Sequence, residues 1–354
     1  MSGACVVTLE PAAYDQWDGF VAASPDGAIY STTAYLDALC GAGGGRFRVV
    51  AVRRGEELAG GVALYERESP FGTYVSPRLL LYYNGLVLRR YDTKYPSQQT
   101  SRDVETVSLL AHALDARRYG QVMLKNRESV RDVRPFLARG WAARPSYSYV
   151  VPLAEPQALW QRMEQNLRRL VTRCETRDGL RVSDDDDFDA FYRLHEITLG
   201  RRGVAAYLPK AAFAGYVARL RAAGLARLFQ ARLPDGRVIA SQLVLLGRHP
   251  VTHTVSAAGD PEFNKLGAQA FLRWKVFEVL AGLGYQGNDL TDAALNPVTH
   301  FKAQLGGDLA VSLVLEAPAT RAYRWGTALG ALPRRARGAL RRVAQRLVAR
   351  DRAP

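Results

Sequence analysis

Two short runs early in the chain, residues 46–54 (RFRVVAVRR) and 58–66 (LAGGVALYE), are rich in β-branched and apolar residues. Gly55-Glu56-Glu57 joins them, so the pattern predicts a β-hairpin. A helical run follows over 103–119 and stops at Gly120. Next come an apolar strand at 121–125 (QVMLK), a short helix near 130–139 ending at Gly140, and a strand near 146–153. The same order then returns. Strands at 226–233 and 237–246 flank Pro234-Asp235-Gly236, and 251–258 (VTHTVSAA) reads as a further strand. A helix over about 266–281, strand-like 285–290, a short helix at 297–304 and a last strand at 309–315 complete the unit. Pro135-Phe136-Leu137-Ala138 in the first unit aligns with His300-Phe301-Lys302-Ala303 in the second. A unit present twice predicts two similar α/β domains, 1–154 and 155–318, followed by a tail, 319–354.

Residues 155–180 read as a basic helix joining the halves, and the acidic run Asp184 to Asp187 reads as the cap of a helix over 188–199. Hydrophobic residues make up 48% of the 354 positions and charged residues 23%, the balance of a chain that packs a core rather than a disordered one. Three cysteines (Cys5, Cys40, Cys174) exclude a disulfide framework, and without a C-x-x-C pair no zinc ribbon is expected. The formal net charge of +14 asks for an anionic partner. Its distribution sharpens the question. The tail holds ten arginines against one acid, so it carries +9 and leaves only +5 for the first 318 residues. In the tail Ala336, Leu340, Val343 and Leu347 form one apolar stripe beyond Pro333, the pattern of a basic amphipathic helix. Such a helix over 333–350 meets an anionic membrane surface or RNA, or docks its stripe on the body of the protein. No export signal and no long apolar span stand out, so the expected place is the cytoplasm, with peripheral association at the inner face of the membrane as an option.

Several familiar site patterns are missing. There is no G-x-S-x-G elbow and no Walker loop. Gly41-Ala42-Gly43-Gly44-Gly45 follows a helix and precedes a strand, the reverse of a dinucleotide loop, so it reads as a helix stop and turn. His249 and His253 are four residues apart, but Pro250 and the β-branched neighbours place them on a strand, and no metal site is expected. His253 reads either as a satisfied strand histidine or as a substrate or proton-transfer contact. Asn264, Lys265 and Gly267 open a helix after a strand, where a helix N-terminus either receives a phosphate or pyrophosphate or simply begins.

Over residues 160 to 316 the chain resembles the FemAB-like branch of the GNAT acyltransferase superfamily, with its BioF2-like acetyltransferase relatives. The residues that carry this are the basic helix with Asn166, Arg168, Arg169, Arg173 and Arg177; Leu194-His195, Thr198 and Arg201-Arg202-Gly203-Val204; the strand opening Val238-Ile239-Ala240-Ser241; Gly284 with Asn288-Asp289-Leu290; and Phe301-Lys302 with Leu305-Gly306-Gly307. The resemblance implies two tandem GNAT-like domains with mixed central sheets. It implies transfer of an acyl or aminoacyl group from acyl-CoA or aminoacyl-tRNA to an amine of a cell-envelope or small-molecule acceptor, phosphorylated or lipid-linked in some cases. In this reading Lys302 is the cation at the developing oxyanion, aimed by Phe301. Asp289 receives or holds the amine, with Asn288 beside it. Arg173 and Arg202 bind phosphates, and Asn264, Lys265 and Gly267 meet the donor. The superfamily's pyrophosphate signature, Gln/Arg-x-x-Gly-x-Gly/Ala, is met only in part, with Asn264 at its first place and Gln269 at its last, which leaves the two donors open. The competing class is a non-catalytic RNA- or membrane-surface-binding protein on a degenerate GNAT scaffold.

Overall fold

The computed structural model describes residues 3–331, apart from 79, 117–118, 186, 202 and 204–205. The strands are β1 (Ala4–Thr8), β2 (Arg46–Arg54), β3 (Glu57–Arg67), β4 (Tyr74–Val75), β5 (Leu86–Leu88), β6 (Gln121–Lys125), β7 (Ala142–Pro152), β8 (Arg181–Ser183), β9 (Ala226–Arg232), β10 (Val238–Leu245), β11 (Val251–Gly259), β12 (Gly287–Asp289) and β13 (Asp308–Glu316). The helices are α1 (Tyr14–Ala23), α2 (Thr33–Gly43), α3 (Pro96–Ala116), α4 (Arg134–Leu137), α5 (Pro156–Arg162), α6 (Gln165–Thr176), α7 (Phe188–Gly200), α8 (Lys210–Ala222), α9 (Ala268–Gly282), α10 (Pro297–Ala303) and α11 (Arg321–Ala331).

The strands join one sheet in the order β1-β2-β3-β4-β6-β13-β7-β12-β11-β10-β9-β8, with β5 beside β3. It is mixed: β4 runs parallel to β6 and β11 parallel to β12, while the other neighbours are antiparallel. Each half contributes one parallel pair, so the repeat read from the sequence is a repeat of sheet topology. The middle of the sheet departs from simple repetition. β7, the last strand of the first half, pairs with β12 of the second. β13, the last strand of the second half, pairs with β6 of the first. The two exchanged strands pair with each other along Asp308–Glu316 and Ala142–Val150.

β10 shows why the second half folds as it does. Every residue of Val238–Leu245 is buried, as expected of a strand covered on both faces. Ala240 and Val244 belong to the core under α6 and α9, and Leu243 and Leu245 to the core shared with α2, α7 and α8. On α6, Leu167, Val171 and Cys174 recur on one face and are buried, while its arginines stay outside or half-buried. The expected helix 155–180 is two helices, because Met163 and Glu164 are extended and the Met163 side chain enters the core. Asp187 caps α7 by accepting from the Ala190 N–H at 3.0 Å, as the acidic run predicts. Gly44 ends α2 at φ 68°, the turn expected there. No helix among the described residues is long and apolar enough to cross a membrane. The expected basic helix over 333–350, and Arg202, lie outside the described residues.

Candidate active site

β11 and β12 pair only from Val251–Gly287 to His253–Asp289 and then part. A β-bulge widens the gap: Ser256 lies opposite Leu243 and Thr254 opposite Val244, so Val255 has no counterpart on β10. A cleft of about 470 Å³ opens there, walled by Thr254 to Ala257 on one side and Leu290 to Asp292 on the other. The first half closes it with Tyr30, Arg78, Tyr82 and Lys125. A parted parallel pair is thus turned into a pocket, and both halves line it.

Lys302 stands on the wall of this cleft, only 8% exposed. Its ammonium donates to the Thr291 carbonyl and, at 2.6 Å, to the Asp292 carbonyl. Both residues have left-handed backbones, at φ 49° and 34°, an unusual conformation for threonine and aspartate. The contacts make Lys302 a clamp on the turn that forms one lip of the cleft. Phe301 packs half-buried against the core beneath α9 and is not part of the cleft wall.

Asp289, Asn288 and His253 lie at the apex, beneath the cleft rather than on its wall, and each is fully buried. Asn288 ties the last paired step together, accepting from Thr254 Oγ1 at 2.9 Å and donating to Thr252 Oγ1 at 2.8 Å. Asp289 accepts from the Tyr83 hydroxyl at 2.8 Å and from the Thr291 N–H at 2.7 Å. Burial pushes its pKa up, against the pull of Arg127 and of those hydrogen bonds. His253 lies 3.7 Å from Asp289 Oδ2, and its ring packs on Tyr30 and Tyr83 at 4.9 and 5.8 Å. Burial drives its pKa well below the ordinary histidine value, so it is neutral. Asp289 is therefore tied to the cleft wall through the Thr291 turn and to the core through Tyr83.

Lys125, at the end of β6, is the cleft residue that sequence reasoning passed over. Its ammonium sits 3.2 Å from the centre of the Tyr82 ring. Burial lowers its pKa to about 8, while Asp289 and Asp292 pull the other way. A signal was present: lysines number six against 42 arginines, and Lys125 ends an apolar strand.

The remaining candidates gather elsewhere. Asn264 and Lys265 are exposed on a 3₁₀ turn, Pro261–Leu266, leading into α9. Gly267 follows at φ 89°, and a Cβ there would meet Leu170 at 2.8 Å, so the close approach of α6 also demands glycine. Arg173 donates to the carbonyls of Lys265 and Leu266 at 2.9 and 2.7 Å and pairs with Asp178. It is thus committed to holding this turn instead of standing ready for a phosphate. The first turn of α9 has no capping side chain, so its orphan N–H groups suit the anionic part of a donor.

Residues 161–303 match the family model described as an acetyltransferase (GNAT) domain. No curated protein matches in sequence. Among solved structures the chain is similar to FemX, with 14% identity and a TM-score of 0.67 over 87% of this chain and 96% of that one. It is similar to the C-terminal domain of a putative lysylphosphatidylglycerol synthetase from Agrobacterium fabrum, with 12% identity and a TM-score of 0.57 over 89% and 95%. It is also similar to a tandem GNAT protein of the clavulanic acid biosynthesis pathway, with 12% identity and a TM-score of 0.53 over 90% and 99%. The fold is therefore the tandem GNAT fold, and the resemblance to FemAB-like acyltransferases holds at that level.

Proposed function

We propose that this chain is an N-acyltransferase that moves an acyl or aminoacyl group from an activated donor, acyl-CoA or aminoacyl-tRNA, to an amine in the cleft between β11 and β12. The observation that carries the reading is Lys125, a buried lysine lowered to about 8, on the wall of a cleft opened by parting strands. An aliphatic amine is protonated near neutral pH and must lose its proton to attack a carbonyl. Lys125, largely uncharged above pH 8, accepts that proton, and Tyr82 and the Asp289–Tyr83 pair position it. The backbone of β11 beyond His253 is released from β12, and its N–H groups are the candidate donors to the carbonyl oxygen as charge develops on it. Lys302 holds the Thr291–Asp292 lip in place. The exposed face at Asn264, Lys265 and the start of α9 receives the donor's phosphates. The acceptor is proposed to be an amine of a cell-envelope or small-molecule compound, and the lysylphosphatidylglycerol synthetase domain among the structural neighbours is in keeping with aminoacyl transfer.

The test is a screen of the full chain against acyl-CoAs and charged tRNA with amine acceptors, followed by the Lys125→Met variant. With wild-type protein, kcat/KM should climb as pH rises through about 8, because the base works only when deprotonated. Lys125→Met should lose about 10²–10⁴-fold in kcat, and that pH limb with it. Normal turnover by the variant would remove Lys125 from the mechanism, and binding of neither donor would remove the transferase reading.

A further inference from the structure

The cleft has a second charged wall that the proposed proton transfer leaves unused. Arg273, on α9, lines it and is only 5% exposed. Its Nε and Nη1 are buried and have no hydrogen-bond partner among the described residues. Burial alone lowers its pKa, to about 10, with no neighbouring charge acting on it. Gln242 of β10 is fully buried, and both atoms of its carboxamide also lack a partner among the described residues. Register puts Gln242 next to a strand that lines the cleft. Gln242 lies opposite Ala257 of β11, and Ala257 lines the cleft together with Arg273. Gln269, one turn before Arg273, packs beside Gly259, where an added Cβ would meet its Nε2 at 2.2 Å. The face of α9 that carries residues 269 and 273 is therefore the face laid on β11.

A guanidinium and a carboxamide buried on adjoining elements without partners among the described residues are costly, and a core that only needed packing would not keep them. An anionic ligand group removes both deficits, because guanidinium N–H groups fit two oxygens of one planar acid. We propose that Arg273, with Gln242, seats a carboxylate carried by one of the two substrates; this rests on the reading of the cleft as a transferase site. Charge and shape favour a carboxylate over a phosphate. One unpaired positive charge is matched by one negative charge, whereas a phosphate monoester brings nearly two. A phosphodiester continues as a chain on both sides, and so deep a guanidinium faces the end of a ligand. The carboxylate belongs either to an amino-acid-like acceptor or to an acyl group with a distal acid.

The experiment compares full-length wild type, Arg273→Met and Arg273→Lys. Thermal midpoints are measured with sodium acetate and with inorganic phosphate at constant ionic strength. Binding is then measured for succinyl-CoA against acetyl-CoA, and for alanine against alaninamide. Wild type should be stabilised by acetate and should prefer the acid member of one pair by at least tenfold; the pair concerned tells donor from acceptor. Arg273→Met should lose that preference while melting no lower than wild type, since it deletes an uncompensated charge. Arg273→Lys should weaken carboxylate binding, which covers a Met variant that fails to fold. Unchanged preference in the Lys variant, or stabilisation by phosphate and not by acetate, overturns the proposal. The acetate readout needs no turnover. Arg273-dependent acetate binding without acyl transfer would therefore keep the subsite and discard the transferase reading.

Discussion

Lys302 shows how one side chain can shape a cleft through the backbone it holds. Its ammonium bonds two carbonyls in a left-handed turn, and that turn is a lip of the cleft. Removing it leaves the buried Thr291 carbonyl without that donor, a loss of about 1–3 kcal/mol. Lys302→Ala should therefore lower both the thermal midpoint and kcat. An unchanged midpoint with kcat abolished would instead restore Lys302 as the oxyanion cation. The buried histidines set a second residue-scale expectation. His195 and His249 are lowered to about 4 by burial, and burial also drives His253 well below the ordinary histidine value. A histidine held neutral in the fold charges more readily when unfolded. Its contribution is therefore complete above pH 6.5 and drains away as pH falls toward 4. For His195 and His249 the loss is up to about 3 kcal/mol each. Asp289, Asp26 and Asp18, raised by burial, act in the opposite sense and make the slope shallower. The urea midpoint should fall between pH 7.5 and pH 5, and less so in His195→Gln. A flat profile in wild type would contradict this.

At the scale of elements, the second half was legible from β9 onward, because its signals there are local, whereas β8 and α8 went unread. The Pro-Asp-Gly turn, the largely apolar β10 and the glycines after α9 fix elements within a residue or two of their observed ends. The Lys302 and Asp289 positions were legible from the motif, but the hydrogen bonds they make were not. Whether an ammonium faces a substrate or two carbonyls is decided by a turn eleven residues away. The break at Met163 left no mark, since neither proline nor glycine stands there and burial of one side chain bends the backbone. Lys125 and Arg273 escaped for a related reason. A lysine ending a strand and an arginine inside an amphipathic helix look ordinary until the sheet brings them to one cleft.

For the whole molecule, the exchange of β7 and β13 matters most. The repeat implies two units that could stand apart, and the proposed division at 154/155 follows it. In the fold, each half ends in a strand that finishes the other half's sheet. Expressed alone, 1–154 would leave β6 with an open edge and β7 without either of its partners. Open edges of this length pair with other chains. The isolated first half should therefore be aggregated or unfolded, while 1–154 co-expressed with 155–354 should co-purify as a complex. Because β13 and β7 pair through distant contacts, closure of the central sheet should come late in refolding. The cleft, lined from both halves, should then form only in the reassembled complex, which acetate-dependent stabilisation would report. A soluble, cooperatively melting 1–154 would show instead that the exchange adds little and that each half carries its own core.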